Sequence, residues 1–402
     1  MRLLTTPLLA TRSPGEAQRS PFALLVCLTA CGTLGMHVII PALPATARAM
    51  DMSISTVQLT ITLYLIGLSI GQLVYGPLSD RFGRRPVLLV GMTLFTVASV
   101  VTALAPNPAV LIGSRILQSL GGCSGLVLGR AAVRDGATPD RAASQLALLT
   151  LTMSLVPAIA PAIGGLITEW ISWRASFVLL AALGGITLAW TVAVLPETNR
   201  DRTTTPGISL LWISYARLLR SRVFLGFALG GALSTTSFYG FMAAAPFIFE
   251  HHLHQTASDV GLYYLILMIG VASGSFLANR IARRVSLRTG LTISNALAVA
   301  GASCLAVVNL ADLISVPAIV APLTLFMVGA GMTSPFALAG SISADPRAIG
   351  AASGLYGFIQ MGFGMICTVG VEVWSPGAIY PVTTILLASA VTGMTVIRLA
   401  AR

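Results

Sequence analysis

The sequence predicts an all-α membrane protein whose twelve transmembrane helices form two six-helix bundles. Three observations support this fold class: a very apolar composition, recurring apolar segments of membrane-spanning length, and an alternating distribution of arginine. Of the 402 residues, 55% are hydrophobic and 9% are charged, whereas soluble domains carry about 25% charged residues. So few charges cannot cover a water-facing surface, and most of the exterior must therefore face lipid.

Twelve apolar segments are long enough to cross a bilayer. A helix needs about 20 residues to span the hydrocarbon core, which is about 30 Å thick. The predicted spans are 22–44, 57–79, 86–106, 109–131, 143–168, 175–195, 223–249, 259–278, 289–310, 317–340, 350–371 and 378–397.

The distribution of basic residues gives the orientation. A net charge of +11 is compatible with a nucleic-acid partner, because basic chains bind polyanions. The 24 basic residues are all arginines, however, and they alternate between the connections as the positive-inside rule requires. We therefore expect a multi-pass protein of a bacterial inner (plasma) membrane, with both termini cytoplasmic and no nucleic-acid partner. The opposite side of the membrane receives only Arg48 and Arg174.

The N-terminus and the cysteines add no further site. Residues 1–20 are predicted to be a cytoplasmic tail, because Arg12 and Glu16 follow a short apolar stretch that lacks a signal-peptide cleavage site. The cysteines all fall in apolar segments without a CxxC pair, so they are expected to pack rather than form disulfides or bind metal. They are Cys27, Cys31, Cys123, Cys304 and Cys367.

An internal repeat divides the chain into two halves. The stretch 75–85 resembles 274–284 at an offset of 199 residues (274 − 75), and each copy lies where the second helix of a half meets the cytoplasm. Parallel repeats related by a pseudo-twofold axis are one standard plan of transporters. The predicted units are 21–195, a cytoplasmic linker 196–222 that contains Thr203 to Gly207, and 223–402.

The first motif, from Gly76 to Pro86, resembles the loop between helices two and three of the major facilitator superfamily. That resemblance implies a conformational latch at the cytoplasmic face. Asp80 would pair with Arg130 and with the N-terminus of the eleventh helix near Gly350, and breaking the latch would favour the inward-open state. The alternative is that these charges only mark the cytoplasmic side. The latch residues are Gly76, Asp80, Arg81, Gly83, Arg84, Arg85 and Arg130.

Two further motifs resemble the drug/proton antiporters of this superfamily. The first runs from Arg115 to Gln118, although Ser119 stands where a glycine is usual. An arginine inside a span indicates function by default, and the alternative is a side chain that extends to the outer interface. The antiporter motif of the fifth helix has Ala160 in place of its usual glycine. Its prolines would bend the helix, and its glycines would allow neighbouring helices to pack closely. Its residues are Pro157, Pro161, Gly164 and Gly165.

Shorter motifs resemble the bicyclomycin- and chloramphenicol-resistance branch of these exporters. They are Ile40 to Pro44, Arg130 to Asp135, and Trp173-Arg174. In that branch an aspartate commonly precedes the first proline of the helix-one motif by four residues, and it is thought to take part in proton coupling. This chain has His37 at that position.

No carboxylate replaces that aspartate at mid-membrane, because all 13 acidic residues lie at predicted helix ends or in loops. His37, Arg115 and Tyr64 are predicted at a similar depth, about 10 Å from the outer end at 1.5 Å per residue, where they would line one cavity. We hypothesise that His37 is the protonatable switch, since imidazole titrates near neutral pH and a nearby guanidinium disfavours its charged form. The alternatives are a neutral histidine bonded to a backbone carbonyl or to Tyr64, altered coupling, or an anionic substrate paired with Arg115.

Other polar residues are candidates for the substrate cavity, although helix packing explains each equally well. They are Tyr64, Gln118, Tyr239, Tyr356 and Gln360. The cluster Glu250 to His254 contains three histidines, but nothing metal-like accompanies it. We expect a solvated loop there and no metal site.

These features predict a proton-coupled exporter of small amphipathic compounds or drugs that works by alternating access around a midplane site. The chain has no phosphate-binding loop and no catalytic constellation, so neither an enzyme nor a cofactor is expected. The expected partners are a small-molecule substrate, protons and the lipid bilayer, and a monomer is expected because nothing demands a partner chain. The alternatives are a metabolite exporter or importer of the same fold, and a sensor or membrane-embedded enzyme that does not transport.

Overall fold

The computed structural model describes residues 22–136, 139–199, 208–282, 284–345 and 348–400. Within these ranges the regular structure is entirely helical. The predicted tail, 1–20, and residues 200–207 of the predicted linker lie outside the described residues. The N-terminal half contains α1 (Phe22–His37), a 3-10 turn (Ile40–Ala42), α2 (Leu43–Ala49), α3 (Ile54–Phe82), α4 (Arg84–Ala103), α5 (Pro108–Gly136), α6 (Pro139–Trp170) and α7 (Trp173–Val194).

The C-terminal half has the same plan after one connecting helix. Its elements are α8 (Ile208–Arg220), α9 (Arg222–Thr235), α10 (Phe238–Leu253), α11 (Ala257–Ile281), α12 (Leu287–Leu310), α13 (Val316–Ser343), α14 (Ile349–Trp374) and α15 (Ile379–Ala400). Among the described residues, 12 helical segments are long and apolar enough to cross a membrane. The prediction of twelve crossings is thereby confirmed. The first crossing consists of α1 and α2, and the seventh consists of α9 and α10.

The first and seventh crossings are both interrupted. Pro41 has no N–H to donate to the carbonyl of His37, and its ring excludes that carbonyl, so α1 ends at His37 and a 3-10 turn follows. The seventh crossing breaks between Thr235 and Phe238. The two breaks lie 198 residues apart (235 − 37), which nearly equals the offset of the repeated motif. Equivalent helices of the two halves are therefore broken at equivalent depth.

The two bundles meet along two helix pairs. α3 packs on α14 and α6 packs on α11, and the broken first crossing also contacts α10. We call the end of the bundles that carries Arg48 and Arg174 the arginine-poor face, and the opposite end the arginine-rich face. Glycine allows close approach at the meeting lines, since a Cβ on Gly261 of α11 would lie 2.6 Å from the carbonyl oxygen of Pro161.

Candidate functional site

Arg115 of α5 lies in the centre of the N-terminal bundle and has no exposed surface. Its Nη1 donates to the carbonyl oxygen of Gly35 at 2.8 Å and to Gln118 Oε1 at 2.5 Å, and its Nε donates to the carbonyl oxygen of Thr60 at 3.3 Å. Gly35 is in the last turn of α1, where helix carbonyls lose their amide partners and the helix dipole is negative. The guanidinium is thus held by a helix end and neutral acceptors, and no carboxylate forms an ion pair with it in the described part of the chain.

Aromatic rings complete the surroundings of this arginine. The guanidinium carbon lies 4.2 Å from the ring centroid of Tyr64 and 5.6 Å from that of Phe177. Such contacts contribute about 2 kcal/mol when both groups are desolvated. The buried position excludes a side chain that extends to the outer interface. One donor is left over, because the buried Nη2 has no hydrogen-bond partner.

Two of the residues predicted for the substrate cavity lie inside the N-terminal bundle in this conformation. Tyr64 and Gln118 are fully buried inside the N-terminal bundle. The Tyr64 hydroxyl donates to the carbonyl oxygen of Gly32 at 2.8 Å, and Gln118 Nε2 donates to Ser99 Oγ at 2.8 Å. In this conformation they position Arg115 and line no open cavity. The physical reason is that a guanidinium buried without a carboxylate needs neutral acceptors and aromatic faces around it.

His37 is the last residue of α1 and is 6% exposed. Its Nδ1 lies 2.8 Å from the carbonyl oxygen of Thr33. Because a carbonyl only accepts, Nδ1 carries the hydrogen and Nε2 is the nitrogen that can take up a proton. No hydrogen bond or ring contact joins His37 to Arg115 or Tyr64 within the described ranges. Of the geometries considered from the sequence, the observed one is the histidine bonded to a backbone carbonyl.

The antiporter motif lies where three elements meet. A Cβ on Gly164 would overlap the carbonyl oxygen of Val38, in the break of the first crossing. A Cβ on Gly165 would overlap the carbonyl group of Ala257, the first residue of α11. With Pro157 and Pro161, these glycines lie on α6, which continues through both prolines. The motif therefore joins the break in one half to a helix of the other half.

The remaining cavity candidates come together near the break in the seventh crossing. Gln360 Nε2 of α14 donates to Thr235 Oγ1 at 3.0 Å and to Tyr356 Oη at 3.4 Å. Tyr239 packs on Gly364, where a Cβ would lie 3.3 Å from Cε2 of the ring. Thr235, Tyr356 and Gln360 form a polar cluster at the α9–α14 contact, at the end of the broken helix as His37 is in the first half, and Tyr239 lies just beyond the break on α10.

The predicted latch residues form a network inside the N-terminal half. Arg84 pairs with Asp80 one turn earlier, and its Nε donates to Asp135 Oδ2 at 2.9 Å. Gly83 has a φ of 97°, a conformation that glycine adopts readily, and it reverses the chain between α3 and α4. Arg81 stacks on the neighbouring Phe82 ring at 5.2 Å.

A carboxylate that the sequence did not indicate completes this network. Glu197 Oε1 accepts from the backbone N–H of Arg84 at 2.8 Å, and Oε2 accepts from that of Arg85 at 3.3 Å. An anion at a helix N-terminus is favoured by the helix dipole and by the unpaired amides. Glu197 therefore ties the chain after α7 to the start of α4.

Asp80 has a different partner in this conformation from the one expected from the resemblance. Arg130 Nε donates to the carbonyl oxygen of Leu126 at 3.2 Å and forms no ion pair with Asp80, which pairs with Arg84 instead. Arg84 is only four residues from Asp80 in the chain, so it reaches the carboxylate more easily than Arg130, which lies on another helix. In the described part of the chain, Gly76 and Gly350, which the expected contact with α14 would bring together, have free space around them, because a Cβ on either would have no neighbour within 4 Å.

The arginine-poor ends of the two halves, by contrast, are joined by several polar contacts. Arg48 pairs with Glu250, and Glu169 accepts from Ser258. The Gln58 side chain donates to the carbonyl oxygen of Ala243 at 3.1 Å. The arginine-poor face is closed. Among the described residues, the polar contact between the halves that lies nearest to the other face joins Gln72 Nε2 to the Gly357 carbonyl oxygen at 3.3 Å.

One buried carboxylate at this closure was missed by the sequence reasoning. Glu372 of α14 is 7% exposed, although the predicted span ended at residue 371 and left it at a helix end. α14 continues to Trp374 and carries Glu372 into the contact with α3. Its Oε1 lies 2.5 Å from Thr62 Oγ1. The sequence did contain one relevant feature. Thr62 and Thr368 are hydroxyl residues at a similar depth of the two predicted spans, and this pairing indicates a polar contact close to Glu372.

Two six-helix bundles that meet along two helix pairs, with matching breaks and a buried arginine beside one of them, define a helical membrane transporter. The family model of the Major Facilitator Superfamily matches residues 25–368. The chain therefore belongs to this superfamily. It is a transporter and not an enzyme.

Comparisons with known proteins agree with this class. The chain is 33% identical over 344 residues to the chloramphenicol resistance protein of Pseudomonas aeruginosa, covering 84% of this chain and 78% of that protein. It is 25% identical over 354 residues to a bicyclomycin resistance protein homolog of Haemophilus influenzae, covering 87% and 88%. These relatives confirm the resemblance to the bicyclomycin- and chloramphenicol-resistance branch. The solved structure of a POT family transporter with a thioalcohol-conjugated peptide matches with a TM-score of 0.76 at 14% identity, over 94% of each chain, which shows the shared fold.

Proposed function

We propose that this transporter exports small amphipathic compounds, including antibiotics, from the cytoplasm in exchange for protons. It acts as a single chain in the bacterial inner membrane with both termini in the cytoplasm. The names of the relatives, which refer to chloramphenicol and bicyclomycin resistance, support the substrate class. The arginine distribution supports the orientation, because the arginine-rich face then lies in the cytoplasm.

The observation that carries the proposal is the unequal contact between the two halves at their two faces. Polar pairs such as Arg48–Glu250 close the arginine-poor face. At the arginine-rich face Gly76 and Gly350, which a latch would bring into contact, both have free space around them. This is the arrangement expected of an alternating-access transporter open towards the cytoplasm. In the opposite state the motif from Gly76 to Pro86 would latch onto α14, while the arginine-poor contacts separate.

We assign proton coupling to His37, supported by Arg115. His37 ends α1, and Arg115 binds the Gly35 carbonyl two residues earlier, so a change of charge on the imidazole would act on the helix end that the arginine holds. The antiporter motif transmits this change, because Gly164 packs on Val38 directly after the histidine. Substrate would bind between the halves near Tyr239, Tyr356 and Gln360, which lie at the matching break of the other half.

The test is proton movement driven by substrate. Purified protein is reconstituted in liposomes that contain a pH-sensitive dye, and chloramphenicol is added as the probe. We expect addition of the drug to release protons, and a proton gradient to drive its accumulation. His37→Ala should abolish the coupling, whereas His251→Ala, which changes an exposed histidine on α10, should not.

Each failure has a different meaning. Full coupling in His37→Ala would overturn the assignment of His37 but not the export function. If the wild-type protein moved no protons with any of a panel of amphipathic drugs, the proposed function would be wrong and a sensor would be favoured. Movement of a metabolite towards the cytoplasmic side would indicate an importer instead.

A further inference from the structure

The contact between α3 and α14 near the arginine-poor face contains more hydrogen-bond acceptors than donors. Glu372 contributes a carboxyl group to it, and among the described residues Thr62 is the one whose side-chain hydroxyl bonds to that carboxyl. Unsatisfied buried acceptors are unfavourable. An additional hydrogen at this contact would therefore stabilise it.

The hydroxyl chain shows where that hydrogen belongs. Thr62 Oγ1 lies 2.5 Å from Glu372 Oε1 and 2.9 Å from Thr368 Oγ1, and the Thr368 hydroxyl donates to the Met365 carbonyl oxygen at 2.8 Å. A hydroxyl has one hydrogen. If Glu372 is ionised, the Thr62 hydrogen points to the carboxylate. The Thr62 and Thr368 oxygens then face each other without a hydrogen unless Thr368 gives up its bond to Met365.

A protonated Glu372 removes this conflict. The carboxyl group donates to Thr62, Thr62 donates to Thr368, and Thr368 donates to the Met365 carbonyl. Each short contact then contains one hydrogen, and no negative charge lies in the closed contact between the two halves. Burying an ionised carboxylate without a cation is strongly unfavourable.

No neighbouring charge offers an alternative for an ionised Glu372. α14 packs against α3, α9, α10, α13 and α15, and against α8 at the arginine-rich end, away from Glu372. Among the described residues, none of the charge-capable side chains of these elements or of the turns leading into them at the arginine-poor face forms an ion pair or hydrogen bond with Glu372. These side chains are Asp51 before α3, Tyr239, Glu250, His251 and His252 on α10, His254 after α10, Asp312 before α13, and Tyr380 on α15.

We infer that Glu372 is a proton-binding site that controls closure of the arginine-poor face. When the halves separate at this face, the carboxylate is hydrated and ionised. It takes a proton from water on that side, the neutral carboxyl enters the α3–α14 contact, and the face closes. This inference rests on the proposed proton-coupled function and adds to it a second proton site, near the surface and in the other half from His37.

The test measures the gate directly and does not depend on transport. Spin labels are attached at Leu104 and Leu310, which are exposed ends of α4 and α12 on the arginine-poor face, in a variant whose native cysteines are replaced. Distances between the labels are measured in nanodiscs from pH 5 to pH 9. We expect the short-distance, closed population to fall as pH rises in the wild-type protein. Glu372→Gln, which is neutral and can still donate to Thr62, should remain closed throughout, and Glu372→Asp should keep a pH response.

Asp51→Asn is the matched control, because it neutralises an exposed carboxylate at the same face and should leave the pH response unchanged. A wild-type distance distribution that does not change with pH, or a Glu372→Gln protein that opens like the wild type, would overturn the inference. If Glu372→Gln folds poorly, Thr62→Val provides a second variant: loss of its hydroxyl should shift the pH midpoint of closure, and an unchanged midpoint would also overturn the inference. Failure of drug-driven proton release in liposomes would instead refute the proposed function, so the two failures are distinguishable.

Discussion

A methyl group at Gly165 should act as a wedge between the two halves at the arginine-poor face. The Cβ of Gly165→Ala would overlap the carbonyl oxygen of Ala257 and lie 2.9 Å from Ser258 Cα, where carbon atoms normally keep about 3.5–4.0 Å. Both neighbours are backbone atoms of α11 and cannot rotate away. Overpacking of this kind costs about 1–3 kcal/mol. Because the clash exists only when the face is closed, the ratio of closed to open protein should fall by about 5- to 150-fold.

The assay is the distance between spin labels at Leu104 and Leu310, measured at one pH. Gly113→Ala is the control, because a Cβ at Gly113 has no neighbour within 4 Å while the change in helix propensity is the same. We expect the open population to grow in Gly165→Ala and to stay constant in Gly113→Ala. Equal distributions in the two variants would refute the argument that α6 and α11 close this face through their glycines.

Two further predictions concern the N-terminal bundle. Arg115→Ala should destabilise the protein by about 3–5 kcal/mol. Three buried acceptors lose their donor at about 1–3 kcal/mol each, and removal of a buried charge offsets part of that loss. An unchanged thermal unfolding temperature in detergent would contradict this. Glu197→Gln should destabilise the N-terminus of α4 by about 0.5–2 kcal/mol. Hydrogen exchange would detect this as faster exchange of the backbone amides of Arg84 and Arg85. Unchanged exchange rates at these two amides would count against the capping role of Glu197.

The number and order of the spans could be predicted because a bilayer requires long apolar helices and leaves few alternatives. The ends of those spans could not be fixed to within a residue. Glu372 shows the consequence: ending the predicted span at residue 371 placed this carboxylate at a helix end, and an acidic group buried at the contact between the halves was overlooked. The break in the first crossing was not predicted, since 22–44 was taken as one span, although Pro41 explains it because its ring excludes the His37 carbonyl.

The surroundings of Arg115 could be predicted only in part from the presence of an arginine inside a span. A buried guanidinium was expected to be functional, and Tyr64 was expected nearby, which the ring contact at 4.2 Å agrees with. Sequence spacing along one helix could not show that Gln118 points into the bundle rather than towards a cavity, because that depends on how α5 is rotated against α4. Likewise, the partner of Asp80 depends on the conformational state, and one sequence encodes both states of a transporter.

The most direct test of the account is whether the two faces open alternately. A second pair of labels at Phe82 and Leu399, exposed at the arginine-rich ends of α3 and α15, would be measured beside the pair at Leu104 and Leu310 in the Gly165→Ala protein. Alternating access predicts that the arginine-rich pair moves closer in the same fraction of molecules in which the arginine-poor pair moves apart. An arginine-poor face that opens while the other distance stays unchanged would contradict it.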